Sequence, residues 1–250
     1  MNANFARLEI AGESNTGPIR HHNEDNFLIC ALPEAPAVLA AVADGIGGHS
    51  RGETASYICC RGLLQKAMER NYSMWNRDFL VDTLLEINAK IFDFNLKNRS
   101  LRPMGCTVAA ALFFRDKVIC ASAGDSRIYE FNRVPGSKPL RQLTTDHRPE
   151  GYEELLNSGK LLHVSLVGRS LGTEKHLQID TLEIPRPENA RYMICSDGLY
   201  HHLPEQVLAG VLGSNKTPRE TVSILVREAM LAGERDNISV ICAAPAGKEI

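Results

Sequence analysis

The amino-acid sequence predicts an α+β sandwich, with antiparallel sheets inside and helix pairs outside. Three observations carry that prediction. The element order runs strands, two helices, many strands, two helices, strand. Several strands follow one another with only a tight turn between them, which implies antiparallel pairing. No repeat, low-complexity stretch or linker divides the 250 residues, a length that one large core accommodates. A single domain over 5–245 is therefore expected.

Leu8–Ala11 alternates as a strand, and Ser14-Asn15-Thr16-Gly17-Pro18 reads as a turn. The polar cluster Arg20-His21-His22-Asn23-Glu24-Asp25-Asn26 precedes a strand over 27–30. Val38–Ala43 has no polar alternation, as in a strand buried on both faces. Helical spacing follows over 53–70 through Ala55, Ile58, Cys59, Leu63 and Ala67, and over 77–96 through Leu80, Leu84, Ile87 and Ile91. The link at 71–76 holds the single Trp75, expected to pack where the helices join. Strands at 105–114, 118–123, 128–131 and 140–144 come next, with Arg115-Asp116 as a tight turn. The stretch 150–171 is mixed, with a short helix expected at Tyr152–Asn157. A strand at 177–184 stops at Pro185-Arg186-Pro187. After the apolar strand at 191–195, helices are expected near 204–212 and 218–232, the second facing inward with Val222, Leu225, Val226 and Ala229. Ile238–Cys242 closes the chain as a strand.

Composition removes several classes of function. Basic and acidic residues number 28 and 30, spread along the chain for a net charge of −2, so neither nucleic acid nor an anionic membrane is indicated. Apolar runs fall short of the roughly 18 residues that span a bilayer. Met1–Arg7 lacks the hydrophobic core of a signal peptide, which favours a cytoplasmic protein. The seven cysteines form no C-x-x-C pair and lie mostly in apolar runs, as buried reduced thiols do. Arg127 is one position too far from Cys120 for the cysteine-phosphatase signature.

The chemistry lies in the acids. Asp44, Asp125, Asp197 and Asp236 each end or begin a strand, and Glu24-Asp25 forms a fifth polar knot. By itself Asp44-Gly45 is equally an ordinary strand-ending turn. Gathered carboxylates, however, repel one another and call for cations. An all-oxygen set without a convincing Cys/His group selects Mg²⁺ or Mn²⁺ over zinc. A carboxylate on a glycine-rich edge, a neighbouring backbone carbonyl and acids from distant strands suit a two-metal centre, which generates a hydroxide and stabilises phosphoryl oxygens. Arg20 could clamp a phosphate with its planar fork.

Seven segments, in order and over nearly the whole chain, carry a family resemblance. They are Ser14-x-x-Gly17-x-x-Arg20-x-x-Asn23-Glu24-Asp25, Val42–His49, Gly105-Cys106-Thr107, Ala123–Arg127, Leu143-Thr144-x-Asp146-His147, Cys195–Leu199 and Arg235–Val240. In them the sequence resembles the metal-dependent protein serine/threonine phosphatases of the PPM (type 2C) family, in the compact bacterial form. The resemblance implies a four-layer α-β-β-α sandwich, two central antiparallel sheets flanked by helix pairs. It implies hydrolysis of phosphoserine and phosphothreonine by direct attack of a metal-bridging water or hydroxide, with no phosphoenzyme. Two Mn²⁺ or Mg²⁺ ions are implied, with a weaker third. Asp44 would bridge the ions and the Gly45 carbonyl would complete one site. Asp197 and Asp236 would hold the first ion, and Glu24 would act through waters on the second. Asp125 with Asp197 would take the third, Asp25 would orient waters, and Arg20 would bind substrate phosphate. The implied partner is a phosphoprotein, the product of a Ser/Thr kinase, and the family suggests a monomer.

Two places depart from the pattern. Ile46 stands where many eukaryotic members carry a histidine proposed as the acid for the leaving alcohol. His49 is a candidate three residues on, or a loop histidine supporting the turn, so the proton source stays open. The flap, about 148–171, matches only in Gly168-Arg169-Ser170-Leu171-Gly172. His21, His22, His201 and His202 are expected at the surface. Two other readings remain: a catalytically silent phosphoprotein-binding module, and a phosphatase serving one dedicated partner-switching or secretion pathway.

Overall fold

The computed structural model describes residues 8–47, 51–69, 71–98, 103–133, 138–148 and 168–246. In chain order the elements are β1 (Leu8–Asn15), β2 (Asn26–Cys30), β3 (Ala37–Ala43), the two-residue β4 (Gly45–Ile46), α1 (Arg51–Met68) and α2 (Arg77–Lys97). There follow β5 (Gly105–Cys106), β6 (Val108–Phe114), β7 (Lys117–Ala123), β8 (Arg127–Phe131), β9 (Leu140–Gln142) and β10 (Asp180–Pro185). The chain ends with β11 (Arg191–Cys195), α3 (Asp197–Tyr200), α4 (Glu205–Leu212), α5 (Pro218–Leu231) and β12 (Ile238–Pro245).

Ten strands form two five-stranded antiparallel sheets, ordered β1-β12-β11-β8-β9 and β10-β7-β6-β3-β2. The period-2 alternation of strand side chains then builds three apolar layers. On β3, Leu39, Ala41 and Ala43 face α1 and α2, meeting Cys59, Leu63, Leu84 and Ile91. Ala40 and Val42 face the other sheet, in a layer with Phe113, Tyr192, Ile194 and Ile241. Met193, Cys195 and Val240 turn outward onto Leu208, Leu212, Val222 and Leu225 of α4 and α5. This is the expected α-β-β-α order, and burial on both faces explains why β3 carries no polar alternation.

Local signals behave as their chemistry requires. Asn76 caps α2 by accepting the Phe79 N–H at 2.9 Å, and a Thr217/Glu220 capping box starts α5. Trp75 is buried at the α1–α2 junction, stacked on Phe79 at 5.5 Å. All seven cysteines are buried free thiols. Among the described residues no helix is long and apolar enough to cross a membrane.

Some expectations need correction. Adjacent β7 and β8 do not pair: β7 joins β6 and β10, whereas β8 joins β11 and β9. Gly124, at φ +109°, turns the chain from one sheet to the other. A Cβ there would lie 2.5 Å from that of Thr107, so the crossing needs glycine twice over. The strand expected from 177 begins only at Asp180, but it ends where expected: Pro185 is the last residue of β10, an edge strand, where its missing N–H is tolerated. The helix expected at Tyr152–Asn157, most of the flap, and His49 lie outside the described residues.

Candidate metal centre

The strand registers bring the acids to one end of the sandwich. Asn26, at the start of β2, lies opposite Ala43, at the end of β3; Cys195, ending β11, lies opposite Val240 of β12. Glu24 and Asp25 therefore precede β2 where Asp44 leaves β3, while Asp197 and Asp236 flank the same end of the other sheet. Hydrogen bonds fasten the two sheets there. Ser196 Oγ donates to Asp25 Oδ2 at 2.7 Å and accepts from the Ser239 N–H at 2.9 Å. The Glu24 N–H donates to Asn237 Oδ1 at 2.8 Å, and Asn237 Nδ2 donates to the carbonyls of Thr16 at 2.8 Å and His22 at 3.0 Å.

Asp44 is held from behind. Its N–H donates to Thr107 Oγ1 at 3.2 Å, and its carbonyl accepts the Thr107 N–H at 2.8 Å. The Gly45 backbone packs directly on Gly52 in the first turn of α1. A Cβ on Gly52 would lie 2.6 Å from the Gly45 carbonyl carbon and 3.0 Å from Glu24 Cδ. Only glycine allows this approach, which sets the N-terminus of α1 beside Glu24.

Electrostatics mark the cluster. Burial, then repulsion from Asp25, Asp197, Asp125 and Asp236, pushes the Asp44 carboxyl far above the usual carboxylate range. Burial, then Asp125, Asp236, Asp25 and Glu234, does the same to Asp197. Burial pushes Asp25 up to about 6, with the Ser196 and Ser239 hydroxyls opposing. Asp125 is also pushed up to about 6, by burial and Asp146, against Arg148 and Arg127. Arg127 itself is bound by Asp146 at 2.9 and 2.6 Å and lies 3.5 Å over the Tyr200 ring, while Tyr200 donates to the Asp125 carbonyl.

Arg20 reaches the cluster, where Nη2 meets Asp236 Oδ2 at 2.5 Å. Its partial burial works against the charge, but Asp236, then Glu24 and Asp44, raise its pKa further. Glu24 Oε1 is buried and, among the described residues, accepts no hydrogen bond. Among the described residues no three His, Cys, Asp or Glu side chains stand close enough together to be a coordination shell as they are. The chemistry still fits divalent hard cations: the donors are all oxygens, they repel one another, and one buried carboxylate oxygen has no partner among the described residues.

The structure thus brings together Arg20, Glu24, Asp25, Asp44, Asp125, Asp197 and Asp236. His201 and His202, after α3, are exposed as expected, and each also reaches an acid. His201 Nδ1 is 3.7 Å from Asp197 Oδ2, and His202 Nδ1 is 2.7 Å from Glu234 Oε2. His21 and His22 are exposed, as expected. Sequence reasoning assigned no role to Thr107, Asn237 or Glu234. The first two lie in the matched segments, but a side chain that braces another loop's backbone leaves no periodic signal.

Comparison with known proteins agrees with this geometry. The family model for protein phosphatase 2C matches residues 20–215. The chain is 32% identical over 241 residues to the serine/threonine phosphatase stp of Listeria monocytogenes serotype 4b, covering 91% of this chain and 92% of that one. It is similar in structure to the S. agalactiae serine/threonine phosphatase, with a TM-score of 0.82, 28% identity, and coverage of 95% and 99%. The catalytic domain of the phosphatase PstP, solved with two manganese ions, matches with a TM-score of 0.78, 26% identity, and coverage of 95% and 97%. With the two-sheet sandwich and the carboxylate cluster at its end, these matches make the chain a phosphatase of the protein phosphatase 2C family.

Proposed function

We propose that this phosphatase removes phosphate from phosphoserine and phosphothreonine in proteins with the help of two divalent cations, Mn²⁺ or Mg²⁺. The observation that carries the reading is the buried Glu24 Oε1, without a hydrogen-bond partner among the described residues, beside mutually repelling carboxylates. Asp44 and the Gly45 carbonyl, with Glu24, Asp197 and Asp236, would hold the pair, and Asp125 with Asp197 a weaker third. When bound, such ions activate water as a nucleophile and offset charge on the phosphoryl oxygens. Arg20 would bind the substrate phosphate with the face of its fork not given to Asp236. Asp25, locked by Ser196, would orient water beside Asp44. Ile46 carries no proton that it could give to a leaving alcohol. The substrates would be products of a Ser/Thr kinase, and the chain would act as a cytoplasmic monomer of one domain.

The test is hydrolysis of an aryl phosphate and a phosphothreonyl peptide with Mn²⁺. Asp44→Asn and Asp236→Asn should each lower kcat by at least about 100-fold while circular dichroism stays unchanged. Full activity in excess chelator would overturn the reading. Tight phosphopeptide binding without turnover would make the chain a binding module instead.

A further inference from the structure

We propose that Glu234, held by His202, is a positioning residue for Asp236, an inference that rests on the metal-centre reading above. Glu234 is only 4% exposed. Its Oε1 accepts the N–H of Arg235 at 2.7 Å and the N–H of Asp236 itself at 2.8 Å, and its Oε2 pairs with His202 Nδ1 at 2.7 Å. The two backbone bonds orient the peptide planes on both sides of Arg235, and so the direction in which Asp236 leaves the chain. Asp236 Oδ1 accepts the Asn237 N–H at 2.8 Å, which leaves Oδ2 as the oxygen presented to the cleft.

The other end of the link matters equally. His202 follows α3, whose first residue is Asp197, so Glu234–His202 joins the loops bearing two acids of the cluster. The Glu234 N–H also donates to the Ala229 carbonyl at 3.1 Å, tying the loop to the end of α5. A neutral acceptor could close the same turn without repelling Asp197, as Glu234 does. A carboxylate accepts the two N–H bonds more strongly, which is what a ligand-bearing loop needs under repulsion.

The experiment measures Mn²⁺ binding by calorimetry on the full chain, with turnover followed against Mn²⁺ concentration. Glu234→Ala should weaken Mn²⁺ binding roughly tenfold, as loss of an outer support does, and raised Mn²⁺ should restore most of kcat. Glu234→Gln, which keeps an oxygen for the two N–H groups, should stay within about threefold, and His202→Ala should weaken binding about threefold. Unchanged Mn²⁺ affinity in Glu234→Ala, with only a lower melting temperature in chelator, overturns the proposal. If Glu234→Ala does not fold, His202→Ala decides: weaker binding supports the link and unchanged binding overturns it. Asp236→Asn separates the two levels. If it loses Mn²⁺ while Glu234→Ala does not, only the positioning role fails; if it binds normally, the metal-centre reading falls and takes this one with it.

Discussion

Arg20 is bound to Asp236, and in the role proposed for it the same guanidinium would also have to remain available to a phosphate. Asp236 lies on one edge of the fork at 2.5 Å, and the side chain is still 49% exposed. Charge-assisted bonds of this type contribute about 1.5–3 kcal/mol. Arg20→Ala should therefore lower kcat/KM for a phosphopeptide by about 10- to 100-fold, chiefly through KM. Mn²⁺ affinity should not fall, because the substitution releases Asp236. Steady-state kinetics alongside calorimetry checks both halves, and a loss of Mn²⁺ affinity would place Arg20 in support of the centre instead. Arg20 and its acids could be picked out from residue type and spacing. Its partner among them could not, because Asp236 is 216 positions away.

At the scale of elements, the close approach of β4 to α1 is the joint that the site depends on. Gly52→Ala would place a methyl group 2.6 Å from the Gly45 carbonyl carbon, and backbone cannot swing aside as a long side chain can. It should cost more than about 2 kcal/mol, as overpacking does, and at least tenfold in activity. Gly210, exposed within α4, has nothing within 4 Å of its added Cβ. Gly210→Ala should raise stability by about 0.5–1 kcal/mol with activity unchanged. Urea denaturation of both variants tests the pair. Two glycines in helices are thus expected to respond with opposite sign, and the difference comes from what the fold places against each. The helices themselves were readable from the spacing of Leu63, Leu84, Ile87 and Val222. The joint was not, since a glycine looks the same in either setting.

For the whole molecule, the clustered acids predict an unusual pH dependence in chelator. Folding raises Asp25 from 3.8 to about 6, and Asp125 likewise. A carboxyl raised on folding stabilises the protein fully below its unfolded value, and that stability is lost as pH rises through the folded value. The melting temperature in EDTA should therefore fall between about pH 4 and pH 7, each such proton contributing up to about 1.4 kcal/mol per pH unit. Asp25→Asn should flatten the slope by nearly one proton, and Mn²⁺ at neutral pH should raise the melting temperature of the native chain. Thermal scans across pH decide it; equal slopes in the variant and the native chain would refute the role of Asp25.

Residue order alone dictates the class of fold, the amphipathic faces and the identity of the acids, because 2.0- and 3.6-residue periodicities and strand-ending Asp-Gly pairs are local. The crossing at Gly124, which sends β7 and β8 to different sheets, depends on φ at one glycine and on Thr107 beneath it. The bracing of Asp44 by Thr107, of Glu24 by Asn237 and of Asp236 by Glu234 depends on contacts between segments far apart in the chain. Like charges can be assembled at one end only because two sheets stack with their strand ends in register. That stacking is a property of the packed core, and no window of sequence contains it.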